Sequence, residues 1–211
     1  MQQRTIVNKP FRIGIAGYMG AGKSTCTNFL AEAFAPDIEI VAADSEAKRL
    51  MQSDPAIIHT LADAFGSSVL SNKTLNFAAL GEAAFSTVSN LLQFNSIVHP
   101  NVVAFILQRI EQSHKKYCLC DAALIPIWHI ENQFDMLIWI SSAPEIRLTR
   151  LTAKVRQPEA LLRKRMELQE AIMQEPAHAP WHCILNNGVC VDSIPMLLKP
   201  LIAEILAASI T

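Results

Sequence analysis

Apolar residues along this chain fall into two patterns: short unbroken runs, and longer stretches spaced at helical intervals. Runs of strand length occur at Phe11 to Ala16, Ile38 to Ala42, Tyr117 to Cys120, Met136 to Ile140 and His182 to Leu185. Strands covered on both faces read as near-continuous apolar stretches of this kind. Between them, Lys23 to about Phe34 puts Cys26, Leu30, Ala33 and Phe34 on one helical face, and Pro36 ends that helix. Ser45 to Met51, Glu145 to Leu151, Glu159 to Gln174 and an amphipathic Ser193 to Ala208 also read as helices, with 152–158 as a mobile loop. From about Asp54 to His114 the pattern is mostly helical, with turn signals at Gly66-Ser67-Ser68 and Ser71-Asn72. His99-Pro100 is expected to break this region between two apolar helices. So much helix between two strands exceeds a plain crossover and reads as an insertion that walls a second substrate. Strands alternating with helices predict an α/β fold with a parallel sheet.

One stretch changes that picture from a fold to a chemistry. Gly17-Tyr18-Met19-Gly20-Ala21-Gly22-Lys23-Ser24-Thr25 lies between the first strand and the first helix. It satisfies the phosphate-binding pattern G-x-x-x-x-G-K-[ST] in the context that gives the pattern meaning. Glycines let the backbone wrap an anion closely, and the loop N–H groups and helix N-terminus point at phosphate oxygens. Lys23 supplies a positive charge for the β and γ phosphates, and the Ser24 hydroxyl is placed to hold Mg²⁺.

Composition narrows the class further. The chain has 211 residues, 51% of them hydrophobic, which suffices for one domain with a real core plus an insertion. The net charge of −1 and the absence of a long basic run argue against a sequence-independent grip on nucleic acid. No apolar stretch reaches the length of a membrane span, and Met1 to Pro10 is a polar tail without a signal-peptide core. The five cysteines, Cys26, Cys118, Cys120, Cys183 and Cys190, are scattered, odd in number and mostly inside apolar runs, as expected for reduced thiols in a cytoplasmic protein.

Ligands of open parallel sheets gather at the carboxyl ends of the strands. Besides the phosphate loop, Asp44 and Asp121 fall there. Asp44 suits a base that takes the proton of an attacking hydroxyl, or an N-cap of the helix that follows. Asp121 suits a Mg²⁺ carboxylate acting through water, or a strand-end cap. In the helix from Glu159, Arg165 and Gln169 lie inside an apolar face between Leu161, Leu168 and Ile172 on one side and Leu162, Met166 and Met173 on the other. A charge there faces either a phosphate or a buried carboxylate. Arg150, Lys154 and Arg156 form a cationic lid over the γ-phosphate, or a solvated face. His99, His114, His129 and Trp139 read as structural. Asp63-Ala64-Phe65-Gly66 satisfies D-x-x-G but lies in a helical segment, and no N-K-x-D occurs, which excludes a GTPase. A kinase of small metabolites remains.

In the order of its motifs the chain resembles dephospho-CoA kinases over roughly residues 11–195. The residues that carry the resemblance are the phosphate loop, Ala43-Asp44 with Ala47, Phe65-Gly66, Phe85, His99-Pro100, Asp121 and Leu124, Arg150 to Lys154, Arg165 with Gln169, and Asn186-x-Gly188. The resemblance implies a P-loop NTPase fold, a three-layer α/β/α domain over 11–211 behind a tail of 1–10. Its core would be 11–53, 115–151 and 176–211, its helical CoA-binding insertion 54–114, and its lid 152–175. It implies ATP and Mg²⁺, with dephospho-CoA as acceptor phosphorylated on its ribose 3′-hydroxyl. Asp44 and Lys23 would be catalytic. Gly17, Gly20, Ala21, Gly22, Lys23, Ser24, Thr25, Arg150, Lys154 and Asn186 would bind ATP. Asp44, His99 and Arg165 would bind the acceptor, and Ser24 and Asp121 the metal. A monomer or weak homo-oligomer in the cytoplasm, binding neither nucleic acid nor membrane, is expected. The chain departs from the family pattern at Tyr18, Ala42, Asn76-Phe77, Ala123, Pro126-Ile127, Lys154 and Pro180-Trp181, more on the acceptor side than on the phosphate side. The alternatives are a kinase of another small alcohol, or a nucleotide-binding protein with little transferase activity.

Overall fold

A computed structural model describes residues 9–176, 180–185 and 193–209. The five predicted strands form one sheet: β1 (Phe11–Ala16), β2 (Ile38–Ala42), and, after a short hairpin of β3 (Leu70–Ser71) and β4 (Thr74–Leu75), β5 (Tyr117–Asp121), β6 (Met136–Ser141) and β7 (Trp181–Leu185). The order is β2-β5-β1-β6-β7, and every neighbouring pair is parallel. The hairpin turns on Asn72 and Lys73, with φ of 51° and 64°. Consecutive left-handed residues are the turn that matches the twist of paired strands.

Two apolar layers follow from the period of two along the strands. Ile13, Ile15, Leu119, Ile138 and Ile140 pack beneath α1 (Lys23–Ala33) and a C-terminal helix whose Ile194, Leu198, Leu201 and Ile205 are buried. Ala16, Cys118, Cys120, Leu137 and Trp139 face the opposite layer. That layer contains α2 (Ala43–Ser53), α3 (Pro55–Phe65), α4 (Phe77–Ala84) and α5 (Val88–Gln112). Asp54 and Asn76 start α3 and α4 by accepting hydrogen bonds from the first free N–H groups of each helix. After β5 come α6 (Ile125–Trp128), α7 (Pro144–Lys154), α8 (Glu159–Ile172) and finally α9 (Ser193–Ala208).

Three expectations are corrected. Pro100 does not divide the region before β5: α5 runs unbroken through it. A proline costs one backbone bond, but Leu91, Asn95, Val98, Val102, Ile106 and Ile110 form one buried stripe on both sides of it, and that packing holds the helix together. Asp44 does not cap α2, which begins one residue earlier at Ala43. Residues 152–158 are not one loop, since α7 extends to Lys154 and only 155–158 separate it from α8. Leu151 anchors that last turn against Leu148, Leu162 and Met166. Among the described residues no helix is long and apolar enough to cross a membrane.

Candidate active site

The register of the sheet assembles the site. Asp121 pairs with Ile15 on one side and with Ala42 on the other. The loop after β1 and the helix after β2 therefore leave the sheet on either side of one carboxylate. Lys23 Nζ lies 3.7 Å from Asp121 Oδ1, and Thr27 Oγ1 donates to Asp121 Oδ2 at 3.0 Å. Both Lys23 and Asp121 are largely buried, so the lysine is held at the mouth of the phosphate loop by a carboxylate it can leave when a phosphate arrives.

Gly20 and Gly17 are required for packing as well as for anions. A Cβ on Gly20 (φ 77°) would come within 2.6 Å of the Arg147 carbonyl oxygen, and one on Gly17 (φ 151°) within 2.4 Å of that of Ile140. The guanidinium of Arg150 donates to the carbonyl oxygen of Ala21 at 3.1 Å and to Ser142 Oγ at 3.3 Å. It thus braces the loop from α7. Lys154 sits one turn, about 5.4 Å, further along α7, and both it and Arg156 are exposed and make no hydrogen bond or ion pair among the described residues.

Beside Lys23 opens a cleft of about 500 Å³, lined by Asp44, Asn95, His99 and Arg165 among apolar neighbours. That volume suits a nucleotide-sized ligand. Asp44 is exposed and makes no hydrogen bond among the described residues. Of the two readings of Arg165, the buried carboxylate pair fails: no carboxylate among the described residues pairs with it. Its guanidinium lies 5.1 Å over the Phe85 ring, Nη1 donates to Gln157 at 2.9 Å, and Nε is buried without a partner. His99 meets the edge of Trp128 at 5.4 Å between ring centroids, and burial pushes its imidazole down to about 4. It is neutral at physiological pH.

Sequence reasoning missed a second constellation. The Tyr18 ring packs edge-on to Trp139 at 5.1 Å and carries the Arg147 guanidinium 4.8 Å from its centroid. Its hydroxyl donates to the Met173 carbonyl at 2.9 Å, and burial, with Glu170 nearby, raises its pKa and keeps it a donor. Arg147 is 2% exposed and pairs with Glu170 of α8. Next to Tyr18, the Met19 N–H donates to Gln169 at 2.8 Å. Gln169 was singled out on its helix; its partner is the phosphate loop itself. The signal for Arg147 was available: it is a charge among Leu148 and Leu151 on an apolar helical face, the pattern that drew attention to Arg165.

The donor set fits Mg²⁺. Ser24 offers an exposed hydroxyl without a hydrogen bond among the described residues, and its neighbour in sequence, Lys23, reaches the Asp121 carboxylate. Hard oxygens in small number, completed by substrate phosphates, are what this ion takes. No group of three or more His, Cys, Asp or Glu that could hold a metal by itself occurs among the described residues. Asn186 lies outside the described residues.

Comparison with known proteins bears on the family. A family model described as dephospho-CoA kinase matches residues 11–192. The dephospho-CoA kinase of Corynebacterium efficiens is 28% identical over 92% of this chain and 97% of its own length. That of Listeria innocua is 31% identical over 72% of this chain and 77% of its own. The crystal structure of TT1252 from Thermus thermophilus superposes with a TM-score of 0.70 over 93% of this chain and 98% of that one, at 22% identity.

Proposed function

Because the chain belongs to the dephospho-CoA kinase family, whose reaction passes a phosphoryl group from ATP to dephospho-CoA to give coenzyme A and ADP, we propose that Asp44 is the base that takes the proton of the acceptor's ribose 3′-hydroxyl. The observation that carries this reading is a carboxylate without a hydrogen bond among the described residues, sharing one cleft with the phosphate-loop lysine. Both its oxygens are therefore available to the hydroxyl.

The work is mostly positioning and electrostatics. Loop N–H groups from Gly20 to Thr25 cradle the ATP phosphates, with Gly17 setting the entry to the loop. Lys23 leaves Asp121 for the γ-phosphate and stabilises charge as the phosphoryl group transfers. Arg150 keeps the loop in shape from behind. Ser24 and Asp121 would hold Mg²⁺, which would supply positive charge against the ATP phosphates. On the acceptor side, the partnerless Nε of Arg165 is a donor for the pyrophosphate. Arg165 also borders a second hollow of about 330 Å³ that includes Phe77 and Leu80. Its apolar walls suit the pantetheine arm, which leaves the adenosine half in the larger cleft. The insertion 54–114 is then the CoA-binding part and 152–175 the lid. Buried free thiols at Cys26, Cys118 and Cys120 support the cytoplasm as its compartment.

The test is ADP release from ATP, Mg²⁺ and dephospho-CoA by purified protein, with Lys23→Ala as control. Turnover that disappears in the control is expected. Bound ATP with no turnover of dephospho-CoA would overturn the reading.

A further inference from the structure

Asn95 is the one residue of the α5 stripe whose chemistry does not belong there. Its side chain is 7% exposed, and Nδ2 is buried without a hydrogen-bond partner. The amide forms no hydrogen bond with any described residue, yet it lines the cleft that holds Asp44 and Lys23. A buried amide left unpaired costs free energy that packing does not repay. It persists where a ligand completes it. Of the other polar groups in the cleft wall, Asp44 and Arg165 are assigned above to the acceptor's hydroxyl and pyrophosphate, and three are engaged within the protein. Lys23 faces Asp121, Gln169 takes the Met19 N–H, and His99 is neutral against Trp128.

The chemistry around Asn95 selects the kind of ligand group. Leu91, Phe94 and Val98, from the same helix, line the same cleft and present apolar surface beside the amide. Leu91, Phe94 and Val98 carry no charge, so a phosphate is matched by the Lys23 and Arg165 cations elsewhere in the cleft and not by this stretch of α5, and a pantetheine chain offers no flat face to it. A purine base matches both features, with apolar faces and a polar edge. A carboxamide pairs with adenine in two bonds, Nδ2–H to N7 and the N6 amino group to Oδ1, a geometry unique to Asn and Gln among neutral side chains. Resting on the dephospho-CoA reading, we infer that Asn95 reads the adenine edge of the acceptor. It thereby sets the base specificity of the acceptor site, separately from whatever holds the adenine of ATP.

The experiment compares dephospho-CoA with its 7-deazaadenine analogue, which has the same shape but lacks the N7 acceptor. Wild type and Asn95→Leu are titrated with each acceptor by calorimetry without ATP, and turnover is measured alongside. Wild type is expected to bind the analogue roughly tenfold more weakly. Asn95→Leu is expected to bind both acceptors alike, with its KM for ATP unchanged. Equal binding of the two acceptors by wild type, or an undiminished penalty in Asn95→Leu, overturns the inference. The wild-type comparison needs no variant, so a misfolded Asn95→Leu leaves the result readable. Discrimination in binding without turnover keeps the Asn95 assignment and sinks the phosphotransfer reading, and binding of neither acceptor sinks both.

Discussion

At the scale of single residues, the site depends on which polar groups are committed and which are left open. Asp121 is committed to Lys23 and Thr27, whereas Asp44 makes no hydrogen bond among the described residues. Replacing Asp44 by Asn keeps its size and removes its basicity. Steady-state kinetics should show kcat lower by about 10²–10⁴-fold and the KM for ATP nearly unchanged; a variant with intact kcat would end its assignment as base. His99 makes the opposite kind of prediction, about stability. Burial lowers its folded-state pKa to about 4, below the unfolded value, so the unfolded chain binds the extra proton first. Its contribution is therefore fully present above roughly pH 6.5 and lost as pH falls toward 4, up to about 3 kcal/mol in all. Thermal melts of His99→Phe, which keeps a ring against Trp128 and cannot titrate, should fall less steeply over that window than those of the native chain. Both residues stand out in the sequence, but neither state does. Openness of a carboxylate and neutrality of an imidazole are properties of surroundings assembled from distant segments.

Between elements, the decisive feature is the tie from the phosphate loop to α8. Tyr18 fills the space between Trp139 and the end of α8, and it shelters a buried guanidinium that needs Glu170. The ring converts a loop into a docking point for the helix that presents Arg165 and Gln169 to the cleft. Tyr18→Gly should leave the sheet intact and raise amide exchange rates in 159–173 selectively, as hydrogen exchange with mass spectrometry would resolve. Glu170→Gln should cost roughly 3 kcal/mol in denaturant melts, the low end for breaking a buried pair because Glu170 is itself partly exposed. Helix limits were largely legible, since α9 and the start of α8 follow from periodicity alone. Pro100 misled because the rule for proline is local. The stripe from Leu91 to Ile110 outweighs one lost backbone bond only once α5 has a layer to lie on.

For the whole molecule, two layers on one parallel sheet divide the labour. The layer of α1 and α9 is apolar filling behind the phosphate loop that opens α1, and the layer of α2 to α5 supplies Asp44, Asn95 and His99 to the cleft. Leu198, fully buried on the sheet-facing side of α9, belongs to the first. Leu198→Ala should lower stability by about 2–5 kcal/mol, read as an earlier denaturant midpoint, without changing the KM of either substrate in the folded fraction. Lys23→Ala should do the reverse, leaving the melting temperature of the free protein almost unmoved and abolishing its rise with ATP. The sequence by itself determined the five strands, their parallel class, the phosphate loop and the identities of Asp44, Asp121 and Arg165, because each rests on local period or on contiguous chemistry. Only the tertiary structure decided that Asp121 holds Lys23, that Arg165 meets no carboxylate among the described residues, that Arg150 braces the loop, and that Tyr18 packs against Trp139 and Arg147. Those outcomes depend on which side chains meet across the sheet order β2-β5-β1-β6-β7. Strand order is a property of long-range pairing that no local window of the chain contains.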